Sequence, residues 1–341
     1  MIRQALYLSE RGFIPDFILK KAVYYLSKSR FSDSSLIENK LNIIKKLSQG
    51  DIAESTNEAN EQHYEVPPDF FKHVLGSNLK YSCSLFDGTQ TLSKAEEAML
   101  SLYIERAKIK DNQKILDLGC GWGSFSLYIA RKFPSCQITS VSNSKDQIDF
   151  INKQAQDLNL SNLTAHRQDV NSLNLTSKYD RIVSIEMFEH VRNYKRLLAK
   201  LSHHLADQGK VFVHIFCHKE LAYLYEQEND SDWMTKYFFQ GGIMPSADIF
   251  SHFNDDLIVK QTWQVEGIHY SKTSHEWLKN LDNKKKEVLE LFSHHYPNPL
   301  VWFHRWRIFF LTCEVFFAIN NGSEYFVSHY LLEKKHALNK K

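Results

Sequence analysis

The chain has 341 residues, 43% of them hydrophobic and 24% charged, which gives length enough for a sizeable core and excludes both a disordered chain and a disulfide-stapled miniprotein. Its 42 Lys and Arg against 40 Asp and Glu leave a formal charge of +2, too weak a field to hold a polyanion, so nucleic acid is not an expected partner. Only 12 Gly and 7 Pro argue against an all-β sandwich. The cysteines (Cys83, Cys120, Cys136, Cys217, Cys313) are odd in number and form no C-x-x-C pair, and no apolar leader with a cleavage site precedes them, which points to a reducing, cytoplasmic setting.

In chain order, residues 1–60 read as an N-terminal helical arm and linker. Two helical patterns occupy 1–48, the second starting near Ser35 with Ile37, Leu41, Ile44 and Leu47, and 49–62 is polar and acidic enough to be a mobile linker. The folded unit, 61–341, is expected to begin near His63. From Lys114 short apolar runs at 114–118, 137–142, 163–166, 180–185 and 210–215 alternate with helical spacing at 124–132, 144–158 and 194–205, and Asp207-Gln208-Gly209 reads as a turn. That alternation predicts βαβ units and a parallel sheet. Segments 257–265 and 325–332 read as late strands, with cap segments at about 221–250 and 268–322. Trp302, Trp306, Phe309, Cys313 and Phe316 recur at helical spacing and describe one apolar face of an amphipathic helix, which His304, Arg305, Arg307 and Glu314 keep from being a membrane span.

The strongest local pattern is Ile115-Leu116-Asp117-Leu118-Gly119-Cys120-Gly121-Trp122-Gly123, a strand running through a glycine turn into a helix. Glycines let a ligand approach the backbone, and a helix start offers free N–H groups. A tight β-to-α turn without a ligand would use the same residues. A dinucleotide fingerprint needs a third glycine where Ser124 stands, and its pyrophosphate would meet Asp117, an acid better suited to an ammonium group.

The loop in its βαβ setting resembles motif I of the class I S-adenosylmethionine-dependent methyltransferases. The resemblance implies an α/β, Rossmann-like seven-stranded sheet with S-adenosylmethionine as cofactor, held by Asp117 on its amino group and by Tyr81, Ser82, Gly119, Gly121, Gly123 and Gln147. Asn143 ends the second strand where an acid is usual and can bond a diol without charge. Asp169, with Val170, stands where that superfamily contacts adenine, although an Asp there serves equally as a turn residue.

His63-Tyr64-Glu65-Val66-Pro67, Tyr81-Ser82-Cys83 and Ile185-Glu186-Met187-Phe188-Glu189-His190 narrow the resemblance to the cyclopropane fatty acid synthase and coclaurine N-methyltransferase group. Blocks at 213–219, 232–239, 269–278 and 320–322 are similar to the coclaurine N-methyltransferase branch, which methylates the ring nitrogen of benzylisoquinoline amines.

An amine with a pKa near 10 is about one part in a thousand neutral at pH 7, so its methylation needs a group to hold the cation and another to take its proton. Glu186, Glu189 and His190, at i, i+3 and i+4, share a face if the segment turns helical. Two carboxylates would hold the ammonium and the imidazole would take the proton, and the resemblance implies the same roles. The alternative is cyclopropane synthesis on an unsaturated lipid chain, where the resemblance matches Cys83, Glu189, His214 and Tyr270 to the ligands of a bound bicarbonate. Glu186 stands where those synthases usually show Gly, and a second carboxylate repels that anion, which favours a small-molecule amine. Trp233, Tyr237, Phe238, Phe239, Trp302 and Trp306, with Cys83, His214 and Tyr270, are the candidate acceptor pocket, each ring having core packing as its other use. No metal is expected, since His214, Cys217 and His218 lack a second ligand pair. Lys284-Lys285-Lys286 and Lys334-Lys335 read as solvated faces that allow peripheral lipid contact but not membrane insertion, and no heptad marks an oligomer.

Overall fold

The computed structural model describes residues 2–29, 34–53, 66–88, 91–227 and 232–335. Strands β1 (Lys114–Leu118), β2 (Gln137–Ser142), β3 (Leu163–Arg167), β4 (Tyr179–Ile185) and β5 (Leu205–His218) are parallel. A short hairpin of β6 (Tyr223–Leu224) and β7 (Ile243–Met244) stands apart, and β8 (Leu257–Val265) and β9 (Tyr325–Lys334) complete a seven-stranded sheet in the order β3-β2-β1-β4-β5-β9-β8. The parallel order expected over 114–215 is present, and the late strand β9, whose direction its spacing left open, runs antiparallel to both neighbours. Periodicity reports which side chains are buried, and both strand directions bury them alike.

Alternate residues of the central strands face opposite cores. Ile115, Val183 and Phe212 belong to one cluster, and Leu116, Ile182, Val211 and Val213 to the other. The crossover helices are α6 (Ser124–Lys132), α7 (Lys145–Asp157) and α8 (Tyr194–His204), counted after α1 (Ile2–Ser9), α2 (Asp16–Ser29), α3 (Ser34–Lys46), α4 (Pro68–Val74) and α5 (Leu92–Arg106). Ser144 and Asn193 cap α7 and α8 by accepting from Gln147 N and Arg196 N. The turn expected at Asp207-Gln208-Gly209 is instead an irregularity within β5, whose register moves from Tyr179 opposite Leu205 to Arg181 opposite Lys210.

Between β8 and β9 lie α9 (Gly267–Asn283), α10 (Lys285–Ser293) and α11 (Pro299–Ala318). Helix α11 is not amphipathic as expected: Phe303, Trp306, Phe310, Leu311 and Phe317 are buried, and no residue from Val301 to Ala318 is exposed on any side. The arm supplies the missing cover. Lys20 pairs with Glu314 at 2.7 Å and Arg307 with Asp16 at 2.9 Å, tying α2 to α11. The start of the expected mobile linker is also anchored, since the buried Ile52 accepts from Arg192 N at 2.7 Å and Ala53 exchanges two bonds with Asn171. Residues 54–62 and the motif residues His63, Tyr64 and Glu65 lie outside the described residues.

Candidate active site

A cavity of about 710 Å³ opens beyond the carboxyl ends of β1 and β4, where the chain must leave the sheet and side chains from several elements converge. The glycine loop forms one wall, the aromatic cap and α11 another, and α1 and α2 border it from outside.

On the glycine-loop side, Tyr81, Ser82, Asp117, Gly119, Gly121 and Gln147 line the cavity. Gly121, at φ +51, is the position where a Cβ would meet nothing within 4 Å, so the loop leaves open space against bare backbone. Asp117 is buried; it accepts from Ser126 Oγ, which also contacts Ser140 Oγ at 2.6 Å. Burial pushes its carboxyl up to about 7, partly offset by the Ser126 contacts. An acid so placed gains most from a cation brought beside it, which fits the ammonium end of an amino-acid-bearing cofactor. Gly123 caps α6 in the left-handed region instead of lining the cavity. Asn143, Asp169 and Val170 do not line it either: Asn143 O accepts from Arg167 Nε at 2.9 Å, Asp169 Oδ1 accepts from Asn171 N at 2.7 Å in a turn, and Val170 packs on the second core.

On the other side, β4 is followed by Glu186 at φ 46, a left-handed conformation that strains a residue with a Cβ. The expected helix does not form. A single turn of 3₁₀ helix, Phe188–His190, follows, and it separates the triad: Glu186 and His190 line the cavity while Glu189 is fully buried behind it. Glu186 Oε1 accepts from Cys83 N at 2.9 Å and lies 3.0 Å from His214 Nε2, and its Oε2 accepts from Tyr270 Oη at 2.6 Å. Burial raises the Glu186 pKa, with Lys80, the Tyr270 hydroxyl and the Cys83 amide working against it. Glu189 Oε1 accepts from Phe216 N at 2.8 Å, and burial with the nearby Glu186 charge holds its pKa well above the usual carboxylate range. The His190 ring lies tilted against Phe239 with centres 4.9 Å apart, and burial lowers its pKa to about 4, so its imidazole is neutral at pH 7.

The sequence profile of the mycolic acid cyclopropane synthetase family matches residues 52–324. The chain belongs to that family. It is an S-adenosylmethionine-dependent methyltransferase. An (S)-coclaurine N-methyltransferase of Thalictrum flavum subsp. glaucum is 39% identical over 96% of this chain and 94% of its own, and one of Papaver somniferum is 36% identical over 96% of both. A crystal structure of coclaurine N-methyltransferase bound to N-methylheliamine and SAH superposes with a TM-score of 0.93 at 37% identity, covering 98% of this chain and 99% of that one.

Within this methyltransferase, the aromatic wall differs from expectation. Trp233, Phe239 and Tyr270 reach the cavity, whereas Tyr237 and Phe238 do not. Residues 235–239 form a π-helical turn, wider than an α-turn, which moves the cavity-facing phase on to Phe239. Phe238 stacks on Phe309 at 4.5 Å and Tyr237 lies under the Arg305 guanidinium at 3.9 Å. Trp306 is fully buried among Phe70, Phe238 and Phe310, and Trp302 stacks on Tyr296 at 4.6 Å. Cys83 and His214 lie one layer behind the wall, contacting it through Glu186. Sequence reasoning missed Lys80, fully buried with its Nζ 2.5 Å from both Ser82 Oγ and Cys83 O, because nothing in its flanking residues marks it as interior. It also missed Ile18, Leu19 and Ala22 of α2 and Thr312 and Phe316 of α11 at the cavity border.

Proposed function

We propose that this methyltransferase moves a methyl group from S-adenosylmethionine to the nitrogen of a small aromatic amine, of the class for which its coclaurine N-methyltransferase relatives are named. One observation carries the reading: Cys83 N–H, His214 Nε2 and Tyr270 O–H, three groups that the family resemblance assigns to a bicarbonate, converge here on the carboxylate of Glu186. The chain's own anion fills that cradle and faces a cavity walled by Trp233, Phe239 and Tyr270. A carboxylate beside aromatic faces favours a cation.

When bound, S-adenosylmethionine supplies an electrophilic methyl on a sulfonium. Asp117 would hold its amino group, and Gly121 would admit it against the backbone. Glu186 holds the acceptor ammonium beside the loop, and the neutral imidazole of His190 takes the proton at a ring nitrogen, freeing the lone pair. Glu189 supports the turn from behind through Phe216 N–H. Alignment of donor and acceptor in a site walled from water supplies the rest of the rate enhancement. Residues 61–341 act as one catalytic domain on this reading, and the unpaired Cys83, Cys120, Cys136, Cys217 and Cys313 support a cytoplasmic setting. Among the described residues no helix is long and apolar enough to cross a membrane.

The test is to incubate the purified protein with methyl-labelled S-adenosylmethionine and either benzylisoquinoline-type secondary amines or vesicles of unsaturated phospholipid. Label is expected in a base-extractable amine. Label in acyl chains overturns the proposal.

A further inference from the structure

Behind Glu186 a line of buried nitrogen atoms leads away from the cavity. His214 on β5 stands directly opposite His329 on β9, and His329 opposite Trp263 on β8, so antiparallel register places the three side chains in one row across the sheet. Arg106, the last residue of α5, lies over that row with its guanidinium 5.2 Å from the Trp263 ring centre. Its Nη1 is 2.7 Å from His329 Nδ1, His329 Nε2 is 2.9 Å from His214 Nδ1, and His214 Nε2 is 3.0 Å from Glu186 Oε1. Both imidazoles are fully buried.

The direction of every bond in this line follows from its far end. A guanidinium only donates, so His329 Nδ1 must accept and the ring proton sits on Nε2. His214 Nδ1 must then accept in turn, because a proton there would set two N–H groups head to head at 2.9 Å. The Tyr103 hydroxyl lies 2.9 Å from the same nitrogen. His214 therefore carries its proton on Nε2, aimed at Glu186. Burial keeps both rings neutral, lowering each well below the usual histidine range, with Arg106 and Lys80 adding to the effect.

We propose that Arg106 and His329 are positioning residues for the transfer reaction: through His214 they form a one-way donor chain that keeps the Glu186 carboxylate ionised at the cavity wall. This rests on the amine-methylating reading of Glu186. Other groups facing Glu186 are Lys80 and Cys83 from the segment before α5, Tyr103 on α5, Glu189 and His190 on its own turn, Tyr270 on α9 and Cys313 on α11. Lys80 is the other cation that favours the charged form, and it is held by Ser82 Oγ and Cys83 O. Glu189 opposes it. The Tyr270 hydroxyl, the Cys83 amide and His190 favour the charged form as well, so removal of the relay shifts the titration of Glu186 without abolishing the site.

The experiment measures kcat/KM against pH for the wild type, Arg106→Met, His329→Leu and His329→Gln. The first two variants should move the acid limb upward by about one pH unit, giving roughly tenfold slower transfer on that limb and near-wild-type rates on the alkaline plateau. The His329→Gln variant, whose amide offers one acceptor and one donor, should restore the wild-type limb. A loss equal at all pH values, or no shift, overturns the proposal. In parallel, nitrogen NMR of histidine-labelled protein without any acceptor should show the His214 and His329 rings protonated at Nε2, and a mixture of tautomers in Arg106→Met. Protonation at Nδ1 of either ring in the wild type refutes the chain. Because that readout needs no acceptor, it decides the relay even if no amine proves to be a substrate.

Discussion

Replacing Glu186 with glycine tests the central assignment most directly, because the structure fixes what is lost and what is left behind. The carboxylate accepts from Cys83 N, His214 Nε2 and Tyr270 Oη at 2.9, 3.0 and 2.6 Å, so Glu186→Gly leaves three buried donors facing an empty space of carboxylate size. Each unsatisfied donor costs about 1–3 kcal/mol, while release of the left-handed backbone returns roughly 1–2 kcal/mol. The variant should therefore be a few kcal/mol less stable. On the amine side, loss of one charge-assisted contact of about 1.5–3 kcal/mol corresponds to transfer slowed roughly 10- to 150-fold. A small free anion fits the vacated cradle, so formate or bicarbonate should raise Tm and restore part of the rate in the variant and do neither in the wild type. The assay is the initial rate of label transfer, with melting curves and calorimetric SAH affinity alongside; the last should hardly change. Wild-type turnover in the variant, or a Tm and rate both indifferent to formate, refutes the assignment of Glu186.

Asp117, raised to about 7 by burial, should make SAH binding pH-dependent. If the bound amino group needs the ionised acid, the ionised fraction, and with it the affinity, falls about tenfold from pH 8 to pH 6, and Asp117→Asn flattens the curve; a flat wild-type curve by calorimetry disproves the contact. Trp306 and Phe239 should separate stability from recognition. Trp306→Ala, at a fully buried ring 4.6 Å from Phe70, should cost about 3–5 kcal/mol of stability with the KM for amine unchanged. Phe239→Ala should raise that KM roughly 2- to 30-fold, the span of a cation–π contact, with a small change in Tm; the reverse pattern contradicts the cavity wall described above.

The parts of the fold legible in the sequence are those where burial alone carries the information. Helix 124–132 and strand 257–265 fall where their apolar spacing puts them. The direction of β9 and the enclosure of α11 on most sides were not legible, since each depends on elements far away in the chain. In the site, Asp117 and its glycines stand out because the positive φ at Gly119, Gly121 and Gly123 favours one residue type. Glu186 and His190 were legible as chemistry, but their separation from Glu189 depended on a 3₁₀ turn that spacing could not distinguish from a helix. Of the three candidate rings at 237–239, the π-helical turn leaves only Phe239 in the wall. Arg106 and His329 are 223 positions apart, and only sheet register makes them neighbours.

The strained backbone at Glu186 also bears on how this chemistry arises and what it answers to. A turn held at positive φ accepts glycine freely, and glycine and glutamate codons differ by a single base, so the same scaffold can exchange a diffusible anion for a tethered one in one mutational step. A carboxylate carried on the backbone has a fixed local concentration whatever the medium holds. On the proposed reading of Glu186, an enzyme built in this way needs no dissolved bicarbonate for transfer.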